Sequence, residues 1–232
     1  MTIERHDFTT GTELAQSLAE VVANKLADAI ATRGHAILAV SGGNTPIRLF
    51  EVLSRQPIDW NLVTITLVDE RFVPVDHERS NEKLVRDHLL REHARVARFV
   101  GLCNAASTVN TAALAASSRI DGLRRPFDVV LLGMGLDGHT ASFFPRADRL
   151  DQAIDPTTRA LVLPIHAEGA GEKRLTLTLP LLIEAQLLVL HIEGADKNVV
   201  FEKALAGDDE HEMPIRAVLH HARHPLQVYY AN

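Results

Sequence analysis

The sequence predicts an α/β fold built on a largely parallel sheet with helices on both faces. Three observations support this. Strand-length apolar runs alternate with segments of helical period along most of the chain, the pattern of βαβ units. Some of those runs, Ala36–Val40 and Val129–Leu132 among them, are apolar throughout, as expected of strands buried on both faces. Several of them empty directly into glycine-rich or charged turns, and open α/β sheets bind ligands at the carboxyl ends of their strands.

Leu14, Leu18, Val21, Val22, Leu26 and Ile30 recur at helical spacing, with Lys25 the one polar interruption. Thr10 or Thr12 caps this first helix and Gly34 ends it. Ala36 to Val40 is a buried strand. Ser41-Gly42-Gly43-Asn44-Thr45-Pro46 follows, with Pro46 suited to the first turn of a helix that runs to about Ser54. Leu62 to Val68 mixes β-branched and apolar residues as a second strand, ending in Asp69-Glu70-Arg71. Ser80-Asn81-Glu82-Lys83 opens a helix continuing to about Leu90. Val96 to Val100 is a short strand, Ala105 to Ile120 an alanine-rich helix, and Val129 to Leu132 a further buried strand. Residues 145–156 are polar loop. Leu161 to Ile165 and Leu187 to Ile192 are strands, Ala195 to Ala206 a helix, and Leu226 to Tyr230 a terminal strand. Ala167-Glu168-Gly169-Ala170-Gly171 has the composition of a mobile loop. No linker or internal repeat divides residues 1–232, so one domain is expected.

At 232 residues the chain is long enough for an ample core, and 46% apolar with 23% charged residues is ordinary globular composition. A formal charge of −6 argues against general nucleic-acid or membrane-surface binding, while leaving room for a local basic pocket. Cys103, the single cysteine, excludes intrachain disulfides and zinc ribbons. Residues 1–10, carrying Glu4, Arg5, His6 and Asp7, lack a signal-peptide core, and no apolar run reaches transmembrane length. A reducing compartment, most simply the cytoplasm, is expected. Nothing in the pattern sets an oligomeric state.

Phe127 to Thr140 is the most informative stretch. An apolar strand empties into Gly133, Gly135 and Gly138, with Asp137 and His139 two residues apart. A carboxylate so close can orient the imidazole and raise its basicity, which suits general-base work. The alternative is a core histidine held by a backbone carbonyl. Gly133-x-Gly135-x-x-Gly138 matches a dinucleotide fingerprint formally, but Pro145 would break the helix that should open there, so nicotinamide binding is set aside. Ser41 to Thr45, between a strand and a helix start, is either an anion cradle or a capped tight turn; it lacks the lysine of a Walker loop. Arg71, Arg174 and Lys197 are cationic candidates at carboxyl-end loops, each also readable as a solvated charge. His220-His221-x-x-His224 is the densest histidine cluster, but it has no cysteine or HExxH glutamate, so surface histidines beside a turn are expected and no metal.

Taken together, Ser41-Gly42-Gly43-x-Thr45-Pro46, Asp69-Glu70-Arg71-Phe72-Val73-Pro74 with Ser80-Asn81, Gly133-x-Gly135-x-Asp137-Gly138-His139-Thr140-Ala141-Ser142-x-Phe144-Pro145, Arg174-Leu175-Thr176-Leu177-Thr178 and Gly194-x-x-Lys197 resemble the 6-phosphogluconolactonase family. The five motifs occur in the family's order over residues 35–205; Asn44 stands where a serine is common. The resemblance implies a modified Rossmann-like three-layer α/β/α sandwich. It also implies hydrolysis of 6-phospho-D-glucono-1,5-lactone to 6-phosphogluconate in the oxidative pentose phosphate pathway, without metal or organic cofactor. The implied catalytic residues are His139 and Asp137. The implied substrate-binding residues are Ser41, Gly42, Gly43, Asn44, Thr45, Asp69, Glu70, Arg71, Asn81, Gly138, Arg174 and Lys197. The implied partner is one small phosphorylated lactone, with no nucleic acid and no membrane. Two alternatives on the same fold are an amino-sugar-phosphate isomerase/deaminase and a non-catalytic sugar-phosphate-sensing domain. Against the first, Phe144 stands where the related deaminases carry an acidic residue. Against the second, the first thirty residues hold no helix-turn-helix.

Overall fold

The computed structural model describes residues 2–103 and 105–232. In chain order its strands are β1 (Ile3–Phe8), β2 (Ala36–Val40), β3 (Val63–Leu67), β4 (Asp69–Arg71), β5 (Arg98–Val100), β6 (Val129–Leu132), β7 (Val162–Ile165), β8 (Arg174–Leu177), β9 (Leu187–Glu193) and β10 (Leu226–Ala231). The helices are α1 (Gly11–Arg33), α2 (Ile47–Leu53), α3 (Asn81–His88), α4 (Val109–Asp121), α5 (Leu150–Ile154), α6 (Leu179–Ile183), α7 (Ala195–Leu205) and α8 (Ile215–His221). Seven strands form one sheet in the order β1-β10-β9-β6-β2-β3-β5, every neighbouring pair parallel. Every residue of β2 and β6 is buried. Because successive side chains point to opposite faces, both faces of the sheet centre must be covered. The α/β expectation therefore holds.

The longest helix shows how local sequence sets its limits. Thr10 accepts the Glu13 N–H and the Glu13 side chain accepts the Thr10 N–H, a reciprocal cap. Gly34 ends α1 in the left-handed region at φ 74°, its N–H donating to Ile30 O. Leu14, Leu18, Val22 and Leu26 are fully buried, with the small residues Ala15, Ala19 and Ala23 buried among them.

Several elements differ from the expectation. Residues 3–8 form an edge strand paired with β10; its mixed, half-exposed pattern carries no periodic signal. Asp69–Arg71 does not prolong β3 but enters a second, three-stranded antiparallel sheet, β4-β8-β7. The change comes at Val68, whose N–H still bonds Val40 O in the first sheet while its carbonyl accepts Leu177 N–H beside the second. The stretch expected to be loop over residues 145–156 contains α5. The alanine-rich helix starts at Val109, capped by the Thr108 hydroxyl. Segment 167–171 holds a short helical turn, Glu168–Ala170, with Ala167 and Ala170 buried. No helix among the described residues is long and apolar enough to cross a membrane.

Candidate active site

The turns at the carboxyl ends of β2, β6 and β9, with β4, β8 and the loop after β7, enclose a cleft of about 1220 Å³. Strand order explains the gathering: β2, β6 and β9 are adjacent and parallel, so their three exits lie side by side.

The exit of β6 holds the imidazole. His139 Nδ1 lies 2.5 Å from Asp137 Oδ1, and the same carboxylate oxygen accepts the His139 backbone N–H at 3.1 Å. Burial pushes the Asp137 carboxyl up, but the His139 hydrogen bond and charge outweigh it, leaving the group below its ordinary 3.8. Gly135 makes the geometry possible: a Cβ there would stand 2.1 Å from His139 Nδ1 and 2.5 Å from Asp137 Oδ1. Gly138 sits at φ 78° under Met213, and its carbonyl accepts the Ile215 N–H at 2.9 Å. With Nδ1 committed to a carboxylate, Nε2 is left to accept a proton. His139 is about 30% exposed, open enough to meet a small solute.

The exit of β2 is the Ser41–Thr45 turn. Gly43 adopts φ 89°, and Gly42 packs so closely on Asn81 that a Cβ would fall 1.8 Å from its Oδ1. Gly42, Gly43, Asn44 and Thr45 line the cleft. Ser41 also lines it, but its hydroxyl is already used: Oγ donates to Leu131 O at 2.9 Å and accepts Gly133 N–H at 3.1 Å. It ties the β2 exit to the β6 exit.

Three cationic candidates do converge on the cleft. Lys197, on the first turn of α7 after Gly194 at φ 94°, donates from Nζ to Met134 O. Burial lowers its pKa from the ordinary 10.5, against the opposing pull of Asp137. Arg174 on β8 donates from Nη2 to Ala170 O at 2.9 Å and lies 4.0 Å from Asp69 Oδ2. Burial depresses it, Asp69 raises it, and Arg71 and Arg79 act as like charges. Arg71 donates to Arg79 O at 2.6 Å. Arg71 Nε, Arg174 Nε and Asn81 Oδ1 are buried with no hydrogen-bond partner among the described residues.

Asp69 lines the cleft but is held by Ser142 Oγ at 2.6 Å and Asn81. Glu70 and Gly138 lie outside the lining. Glu70 is fully buried, and its carboxylate accepts the N–H groups of Arg71, Asn81 and Glu82 and the Ser80 hydroxyl. Burial raises its pKa above 4.5, the three backbone bonds acting in the opposite sense. As placed, it holds the start of α3 rather than facing a ligand.

Sequence reasoning missed Arg79, His166 and His191 in the lining. His166 follows β7, so the carboxyl-end rule that found His139 would have found it. His191 interrupts an apolar strand run and pairs with Glu193 at 3.0 Å. Arg79 carries no local signal. The His220–His221 pair lies away from the cleft, both rings sharing Glu210 at 2.9 and 3.0 Å. Among the described residues no group of three or more His, Cys, Asp or Glu side chains is gathered to hold a metal ion.

The family model for glucosamine-6-phosphate isomerases/6-phosphogluconolactonase matches residues 9–227. A 6-phosphogluconolactonase of Rhizobium meliloti strain 1021 is 55% identical over 231 residues, covering 100% of both chains. One of Mesorhizobium japonicum is 50% identical over 224 residues, covering 97% of this chain and 93% of the other. The crystal structure of a 6-phosphogluconolactonase from Shewanella baltica OS155 superposes with a TM-score of 0.96 at 44% identity, covering 100% of this chain and 98% of that one.

Proposed function

The chain belongs to the glucosamine-6-phosphate isomerase/6-phosphogluconolactonase family, and we propose that it hydrolyses 6-phospho-D-glucono-1,5-lactone to 6-phospho-D-gluconate, the lactone-opening step of the oxidative pentose phosphate pathway. The observation that carries the reading is the Asp137–His139 pair, half open to a cleft that also holds a glycine turn and three cations.

A lactone is an activated ester, so a positioned base and a water molecule are sufficient for attack. Asp137 holds Nδ1–H, and neutral Nε2 takes a proton from water as its oxygen bonds to C1. The carbonyl becomes an oxyanion that N–H donors stabilise. When C1–O5 breaks, the imidazolium returns the proton to the departing ring oxygen. Arg174 suits the oxyanion or the neighbouring hydroxyls, because its guanidinium and the His139 ring meet the same Phe144 side chain. Lys197 suits the phosphate together with the Gly42–Thr45 backbone. Its ammonium reaches Met134 O, next to the Gly133 amide that bonds Ser41. A partly desolvated cation beside a glycine-rich turn favours a phosphate dianion.

The test is His139→Asn in a lactonase assay at controlled pH, with spontaneous hydrolysis subtracted. Loss of the base should reduce kcat by about 10²–10⁴-fold with the fold intact. Turnover near that of the wild type would remove His139 from this role.

A further inference from the structure

Phe143 and Phe144 are neighbours with different surroundings. Phe143 is fully buried in the core, whereas Phe144 lines the cleft and touches both functional poles. Its ring centroid is 4.4 Å from that of His139, the planes tilted by 36°, and the Arg174 Cζ lies 5.4 Å from the same centroid. The backbone on either side takes an uncommon path: Ala141 at φ 48° and Arg146 at φ 60° are both non-glycine residues in the left-handed region. Such conformations persist only where surrounding structure enforces them, and they cluster at functional sites. Here they flank the ring that meets the imidazole.

The geometry points to Phe144 as a positioning residue for the base, acting on its protonated state. The inference rests on the assignment of His139 as the proton acceptor. An aromatic face attracts a cation lying against it. Neutral imidazole gains little from that face, whereas the imidazolium formed during attack gains from it and from Asp137 together. The same ring also carries the Arg174 guanidinium. Other charged and titratable side chains of the same cleft are Asp69 and Arg71 from β4, Arg79, Arg146, Asp148, His166 and Glu168 from the loops around it, His191 from β9, Lys197 from α7, and His211 and Glu212 from the loop before α8. Among the described residues Phe144 is the ring in aromatic contact with His139, while the His211 ring is engaged with Asp151 at 2.7 Å.

The experiment compares wild type with Phe144→Leu, Phe144→Tyr and, as a packing control, Phe143→Leu. His139 is titrated by the NMR of its ring protons, alongside kcat, KM and the acid limb of kcat/KM. Phe144→Leu should lower the imidazole titration midpoint by about 0.5–1 pH unit. The acid limb should move by the same amount and kcat should fall about 3–10-fold, the equivalent of that shift, with KM little changed. Phe144→Tyr keeps the π face and should restore all three; Phe143→Leu should lower Tm without moving the titration. If Phe144→Leu does not fold, Phe144→Met reads the same quantities. An unmoved midpoint, or a tyrosine variant as impaired as leucine, overturns the proposal. A midpoint that moves while the rate limb stays fixed supports the ring contact and overturns the base assignment instead.

Discussion

Gly135→Ala is the most direct perturbation of the turn proposed to carry the base. Gly135 lies outside the left-handed region, so alanine suits its backbone. The obstacle is local: the added methyl would stand 2.1 Å from His139 Nδ1, 2.2 Å from its Cε1 and 2.5 Å from Asp137 Oδ1. Non-bonded contacts of this kind settle near about 3.5 Å, so the imidazole must retreat by more than about 1 Å. The ring is partly exposed and can swing outward, sparing the core. A misplacement of about 1 Å at a reacting group costs on the order of 10²-fold, or about 2.7 kcal/mol in the barrier. The expected result is a kcat reduced about 100-fold, with KM within a factor of about two and Tm within a few degrees of wild type. The assay is lactone consumption at fixed pH beside thermal unfolding. Wild-type kcat in a folded Gly135→Ala protein would refute the claim that this imidazole position governs turnover.

Three further outcomes are expected. Lys197→Met should weaken 6-phosphogluconate binding by about 10–150-fold, the value of a charge-assisted hydrogen bond, measured by calorimetry. In the wild-type protein burial favours the neutral amine, so phosphate affinity should decline with rising pH before an ordinary lysine would lose its proton at 10.5. An affinity flat through that range, or unchanged in the variant, would take Lys197 out of the phosphate site. Glu70→Gln turns an NH2 toward backbone N–H groups that now bond a carboxylate, and should cost about 1–3 kcal/mol in chemical denaturation. Unchanged stability would show that the Glu70 bonds do not hold α3.

The parallel sheet was legible because its central strands are apolar throughout and its helices are periodic. Ala36–Val40 and Val129–Leu132 are buried at every position, and Thr10 and Gly34 mark both ends of α1. The small antiparallel sheet was not legible. Its strands are three or four residues long, and β4 comes from a segment far in the chain from the neighbouring β7 and β8, so no window carries the pairing even though Leu161–Ile165 reads as a strand. The same division runs through the site. Residues at strand exits, such as His139 and Lys197, could be placed by position alone. What sequence cannot separate is a polar side chain facing a ligand from one spent inside the protein. Ser41 and Glu70 look alike in the motifs as donors and acceptors near an anion site, yet both are occupied by internal hydrogen bonds.

Those inward bonds explain how the His139 turn keeps an unusual path. Thr140 Oγ1 donates to Gly133 O at 2.8 Å, and the Gly135 N–H to His139 O at 2.8 Å, closing the loop on itself. From outside, Ile215 N–H holds Gly138 O, Ser142 Oγ binds Asp69 and Ser142 N–H reaches Thr176 Oγ1. The turn is therefore fixed from α8, β4 and β8, three elements distant in sequence. A left-handed alanine and an imidazole against a carboxylate can persist there because loss of any one tie leaves the others in place. Damage to a single tie should therefore slow turnover by small displacements of His139 before it unfolds the chain. That order of failure separates a pre-organised catalytic turn from a loop that is merely well packed.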